Sequence, residues 1–165
     1  MKKLILLAGL YCLQPNLHAA SITSWKDFHN AVTKKDRGTI RANDRAVAHF
    51  REHFADAKNP LWSTNTDNSI NCYFREQDKV YRIYYDRRGN WTYTLVGYLP
   101  SDLSNNIKYR VLENFDGYYI AYINEIREEN NEPIYIINIE NASSIKIIRI
   151  SNNEDIVVQQ EFQKN

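Results

Sequence analysis

From Asn43 to Asn165 the chain runs through one pattern twice: a short stripe of apolar residues at helical spacing, then several alternating segments rich in Tyr, Ile and Val. The first pass closes at Leu99-Pro100. This order constrains the fold more than any other feature. Helices set apart from runs of hairpin-linked strands favour antiparallel α+β layers over an alternating parallel sheet. The expected architecture is a tandem of helix-plus-four-stranded antiparallel sheet units, over 43–100 and 101–165, each with its helix on one sheet face and the other face free.

In the first pass, Asn43 or Asp44 can accept a backbone N–H at a helix start, and Val47, Phe50 and Phe54 form the apolar stripe. Pro60 cannot donate to a continuing helix and ends it. Beyond it the period changes to about 2, as in strands pleated against a core. The segments are Leu61 to Thr64, Ile70 to Arg75, Val80 to Tyr85 and Trp91 to Tyr98. Ile70, Cys72 and Phe74 share one side, and simple alternation puts Trp91 with Tyr93 and Leu95, opposite Thr92, Thr94 and Val96. Asp86-Arg87-Arg88-Gly89-Asn90 reads as a hairpin turn in which Gly89 supplies a positive φ.

The second pass opens at Pro100. Ser101 is the expected N-cap, Asp102 suits the positive end of the helix dipole, and Leu103, Ile107, Val111 and Phe115 recur along one face. Strand-like runs follow at Tyr118 to Ile126, Ile134 to Ile139, Ile145 to Ile150 and Ile156 to Phe162, divided by polar turns.

Residues 1–20 have the three parts of an export signal: Lys2 and Lys3, the apolar stretch Leu4 to Leu13, and small residues at Ala19 and Ala20. An apolar run of ten residues is about half of what a membrane-crossing helix needs. The expectation is an exported protein, periplasmic or secreted, with no membrane insertion once the signal is removed. Ser24-Trp25-Lys26-Asp27 resembles a capping box, so 21–42 is read as a helix and linker. Without the signal, nineteen basic side chains face twenty acidic ones and Cys72 is the remaining thiol. One thiol forms no internal disulfide, so burial must hold the fold. A near-neutral chain without a Lys/Arg cluster also lacks the electrostatic footprint of nucleic-acid binding.

Phe54-Ala55-Asp56-Ala57-Lys58-Asn59-Pro60-Leu61-Trp62, the turn Tyr84-Tyr85-Asp86 through Gly89-Asn90-Trp91, Leu99-Pro100, Phe115-Asp116-Gly117-Tyr118-Tyr119-Ile120, and Tyr135 through Ile139-Glu140-Asn141-Ala142 occur together in this order. Jointly they resemble the beta-lactamase-inhibitor-like, PepSY-like exported proteins of Bacteroidetes-type bacteria. The resemblance implies two helix-plus-four-stranded units, an envelope or secreted location, no catalytic residues and no defined activity. It also points by analogy of architecture to inhibition through a sheet surface, although fold alone is a poor guide to function. Ala55 stands where those proteins often have proline, and Asn152-Asn153 replaces a glycine turn.

His49-Phe50-Arg51-Glu52-His53 matches the H-x-x-E-H helix motif of inverted zinc peptidases. At 100° per residue, His49 and His53 fall to the flank of the Val47, Phe50 and Phe54 stripe, and no further carboxylate ligand on a second helix is evident. The motif makes a small metal-dependent hydrolase an alternative reading, with His49 and His53 as its metal candidates. No cofactor is expected. Cys72, between Asn71 and Tyr73 and on one side with Ile70 and Phe74, reads as a small buried group. There is no G-x-S-x-G elbow and no Gly-rich phosphate loop.

Tyrosine is the compositional excess, with twelve residues concentrated in strands. Strand propensity accounts for much of it, since the ring packs on a pleated surface while the hydroxyl stays wet. The remainder suggests recognition of a protein or peptide by Arg75, Arg82, Tyr84, Tyr93 and Tyr122 on the sheet face away from the helices. The leading expectation is a non-enzymatic exported binding module acting as inhibitor or regulator of an envelope or secreted enzyme. A structural envelope protein that self-associates through exposed strand edges is a further alternative.

Overall fold

The computed structural model describes residues 43–151 and 155–164, so the export signal, the Ser24 helix and the Asn152-Asn153 turn lie outside the described residues. Within them, helix α1 (Asp44–His53) is followed by strands β1 (Leu61–Thr64), β2 (Ile70–Glu76), β3 (Lys79–Tyr85) and β4 (Trp91–Tyr98). A 3-10 turn (Pro100–Asp102), helix α2 (Asn105–Asn114) and strands β5 (Tyr119–Glu128), β6 (Ile134–Glu140), β7 (Ser144–Ser151) and β8 (Val157–Gln163) complete the order.

All eight strands join one antiparallel sheet in sequence order. The two sets of four are continuous, because β4 pairs with β5 from Tyr93↔Glu128 to Tyr98↔Ile123. The two helix-plus-four-stranded sets expected from the sequence are thus joined edge to edge in one sheet with two edges. Residues opposite one another across neighbouring strands share a face, so the register carries one helix-covered face through the sheet. On it lie Cys72, Ile83, Thr94 and Arg127 in one cross-strand row, and Val96, Glu125 and Tyr135 in another.

Both helices cover that face. Asn43 caps α1 by accepting from the Arg45 N–H at 2.9 Å. Ala46 and Phe50 of α1 then bury against Ile70, Cys72, Phe74, Ile83 and Tyr85. The cap of α2 is Ser104, which accepts from the Ile107 N–H, and Ser101 instead belongs to the 3-10 turn that Pro100 begins. Proline at the first position of that turn presets its φ, and true helix starts only where a side-chain oxygen meets the free N–H groups. The expected stripe still holds, for Leu103, Ile107 and Val111 bury against Val96, Ile123, Ile137, Ile139, Ile148 and Ile150.

The β3–β4 turn is fastened to the start of α1. Gly89 adopts φ +80°, and a Cβ there would lie 2.6 Å from the Asn43 side-chain oxygen, so both backbone and space require glycine. Arg45 donates to Asn90 Oδ1 at 2.7 Å, while Asp86 accepts from the backbone N–H groups of Arg88 and Asn90.

Two β-bulges set which residues reach which face. Tyr84 opposes Tyr93 but Tyr85 opposes Trp91, leaving Thr92 as the extra residue. Trp91 is therefore not aligned with Tyr93 and Leu95, as alternation implies. It packs against the α1 core and donates from its indole N–H to Thr94 at 3.0 Å. The Thr92 hydroxyl donates to the Tyr84 carbonyl at 2.9 Å, which satisfies an acceptor at the interrupted ladder. In β5, Ile120 opposes Ile139 and Tyr122 opposes Asn138, so Ala121 is extra. Ile120 thus enters the core while Tyr122, two residues on, reaches the opposite face.

Candidate functional site

No described helix packs on the second face, which carries Tyr73, Arg82 and Leu95 in one cross-strand row and Asn71, Tyr84, Tyr93 and Glu128 in another. A third row holds Arg75, Val80, Gly97, Asn124, Ile136 and Arg149. The structure therefore places Arg75, Arg82, Tyr84, Tyr93 and Tyr122 on one face, spread over β2 to β5. Arg75 is exposed, and the other four are half-buried among their neighbours.

Tyr84 and Tyr93, directly opposed across β3 and β4, stack with centroids 4.3 Å apart and planes 21° apart. The Arg82 guanidinium donates to the Tyr84 hydroxyl at 3.4 Å. Tyr122 reaches across to β4, where a Cβ on Gly97 would fall 1.7 Å from its hydroxyl oxygen. Glycine at 97 is what lets the hydroxyl end of Tyr122 settle against the strand, a close approach typical of glycine inside a sheet. Burial raises the phenol pKa of both Tyr93 and Tyr122 above the usual tyrosine value; around Tyr122, Tyr73 adds to the rise and Arg82 and Arg75 oppose it. These hydroxyls therefore stay protonated near neutral pH, and the face offers ring surface, donors and guanidinium charge in place of a general base.

Tyr73 and Gly97 belong to this face and were missed in the sequence, and Leu95, already aligned there with Tyr93, joins them. Alternation gives Tyr73 away, since it stands between the core residues Cys72 and Phe74. The role of Gly97 is marked only by a glycine interrupting a strand pattern, and its partner Tyr122 depends on the β5 bulge.

The helix-covered face has a polar seam between its two cores. Glu125, 8% exposed, accepts from the Tyr98 hydroxyl at 2.7 Å and from Arg127 Nε at 2.6 Å. Burial, and then the Glu125 carboxylate to which it donates, holds the Tyr98 phenol far above its ordinary pKa. With its two donors in place the carboxylate is satisfied, which makes the seam a joint between the halves.

The two histidines of the H-x-x-E-H motif are engaged in ring contacts, while Glu52 is exposed. His49 is half-buried on the flank of α1, with Nδ1 3.2 Å from the Tyr85 hydroxyl and its ring stacked on Trp91 at 5.5 Å. Its ring also stacks on that of His53 at 4.2 Å, and His53 Nδ1 donates to the His49 carbonyl at 2.9 Å. Among the described residues no group of three or more His, Cys, Asp or Glu side chains is placed to hold a metal ion. Cys72 is fully buried, and burial pushes its thiol up to about 12, which leaves little thiolate at neutral pH. No described helix is long and apolar enough to cross a membrane.

The described residues form an α+β fold with both helices on one face of an antiparallel sheet. No family model and no curated protein matches this chain. Among solved structures, it is similar to a DUF2874 family protein from Bacteroides ovatus at TM-score 0.61 and 11% identity, over 75% of this chain and 89% of that one. A BLIP-like protein from Bacteroides fragilis matches at TM-score 0.61 and 10% identity, over 76% and 89%. A Bacteroides eggerthii protein provisionally described as periplasmic matches at TM-score 0.59 and 11% identity, over 75% and 90%. The likeness read from the sequence motifs is met at the level of the fold.

Proposed function

We propose that this chain is an exported, non-catalytic binding module that captures a protein or peptide on its open sheet face and inhibits or regulates an envelope or secreted enzyme by occupying it. One observation carries the reading. Tyr73, Arg82, Tyr84, Tyr93 and Tyr122 converge on a face that no described helix covers. Rigid amphipathic rings with guanidinium neighbours are the side chains that dominate protein interfaces. The BLIP-like and DUF2874 neighbours are similar in overall fold, and the eggerthii neighbour's description favours the periplasm.

On this reading residues 1–20 are a cleaved signal, 21–42 a helix and linker, and 43–100 and 101–165 two PepSY-like units fused through one sheet. The partner is a protein or peptide, with neither nucleic acid nor bilayer required. The test is crosslinking of the exported protein in its native envelope. A discrete partner should be captured, and capture should weaken in a Tyr84→Ala, Tyr93→Ala, Tyr122→Ala variant that remains folded. A control variant at Tyr109 and Leu112, exposed on α2, should capture normally. Undiminished capture by the tyrosine variant rejects this face.

A further inference from the structure

We propose that two copies of this chain pair edge to edge through β8, in an antiparallel two-fold arrangement that carries the sheet from one copy into the next. The inference is independent of what the open face binds. Sheet edges present unpaired N–H and C=O groups, and proteins usually blunt them by brevity, proline, lysine or cover. The two edges here are treated differently. β1 spans four residues, Leu61–Thr64, and follows directly on Pro60. β8 spans seven residues, Val157–Gln163, six of them exposed, and contains no Pro, Lys or Arg. Its single charge, Glu161, is bridged to Lys146 on β7 at 2.6 Å. Val157, Val158 and Phe162 are exposed at 48%, 44% and 49%. An edge this long, free of proline and lysine and carrying three exposed apolar side chains, invites another strand.

The sequence of β8 fits a copy of itself. Val157 opposes Arg149, Gln160 opposes Ile147 and Phe162 opposes Ile145, which places all three on the open face. Val158, opposite Ile148, and Glu161, opposite Lys146, lie on the helix-covered face. The register changes between Ile147 and Ile148, leaving Gln159 as an extra residue between these two sets. In an antiparallel pairing that sets Val157 against Phe162 of the second copy, Val158 falls against Glu161 and Gln159 against Gln160. Two-fold symmetry then repeats the Val157/Phe162 contact. Each apolar open-face residue thereby gains an apolar cross-strand neighbour, and the bulge residues meet at the axis. Because that axis stands perpendicular to the sheet, both open faces end on the same side and form one surface of twice the width.

The test is sedimentation equilibrium of the exported protein over a range of concentrations reaching millimolar. A monomer–dimer equilibrium is expected, shifted to monomer by Val157→Lys together with Phe162→Lys in a protein whose circular dichroism is unchanged. A Val157→Cys, Phe162→Cys double variant should form a covalent dimer on mild oxidation, with neither single variant doing so and buried Cys72 taking no part. This readout decides the matter if the lysine variant fails to fold. A strictly monomeric protein, a dimer that survives the lysine substitutions, or open-ended polymers recruiting β1 would each overturn the proposal.

Discussion

The two halves of the sheet carry the same layout on different chemistry. Beneath α1 the core is aromatic: Phe50 contacts Phe54, Trp62 and Phe74 edge-on or stacked, and Phe74 lies parallel to Tyr81 with centroids 4.7 Å apart. Beneath α2 it is aliphatic, with Ile107, Ile123, Ile137, Ile139, Ile148 and Ile150 all buried. The open face divides similarly, with Tyr73, Tyr84 and Tyr93 on β2 to β4 and Ile134, Ile136 and Ile147 on β6 and β7. Helix-on-sheet geometry is thus indifferent to the kind of apolar side chain, provided the face is filled. The open face over β2 to β4, with Tyr122 reaching in from β5, gathers Tyr73, Tyr84 and Tyr93 beside Arg75 and Arg82, and the proposed recognition is assigned there on that basis. Tyr81 packs against both cores and Glu125 ties β4 to β5, so the halves are mechanically one.

The comparison breaks first under core truncation. Phe74→Ala should cost about 3–5 kcal/mol and Ile137→Ala about 2–5 kcal/mol in urea unfolding. Because the sheet is shared, each should lower the midpoint of a single transition. Two separated transitions, one per substitution, would show that the halves fold independently.

Gly97→Ala comes next. The new methyl collides with Tyr122 from the other half, so stability should fall by about 1–3 kcal/mol, and in a Tyr122→Ala background the same Gly97 substitution should cost little. A double-mutant cycle between Tyr84 and Tyr93 should return a coupling of about 0.5–1.5 kcal/mol beyond area burial, confined to the aromatic half. Strict additivity of the two single losses would remove the stack from the account.

The smallest effect is a pH dependence in the α1 half. Burial, and then the neighbouring His53, holds the pKa of His49 below its ordinary 6.5, with Glu52 opposing. The unfolded chain therefore takes up the proton first, so this contribution to stability is complete above pH 6.5 and fades as the pH falls through the folded value. Imidazole titration by NMR should place the His49 midpoint below 6.5, and His49→Gln should flatten the stability profile between neutral and mildly acid pH. An ordinary or raised midpoint would contradict the packing on Trp91 and Tyr85.

Much of this was legible in the chain because periodicity reports which face a residue takes. A cap at Asn43 or Asp44, which the fold resolves as Asn43, Gly89 in its turn, the stripes Phe50 and Ile107-Val111, and β4 over Trp91 to Tyr98 all follow from local rules. What escaped were features decided by tertiary partners. The Thr92 bulge sends Trp91 to the core, and no residue pattern announces it. Ser101 offers the right hydroxyl for a cap, yet Pro100 spends it in a 3-10 turn and Ser104 takes the role. The β4–β5 pairing that joins the two sets of four strands into one sheet depends on long-range register. Within the candidate face, the five residues singled out in the sequence lie together; Tyr73 could have been read by alternation between Cys72 and Phe74, whereas the role of Gly97 emerges only when β4 and β5 are laid side by side.

The central claim is that the aromatic half of the open face makes the contact. A photo-crosslinking residue placed at Tyr93, and separately at Leu112 on the outer side of α2, compares the two sides of one protein in its native envelope. Capture of a discrete protein from position 93 and not from 112 is the result this account requires. Capture from 112 alone, or equally from both, would contradict it.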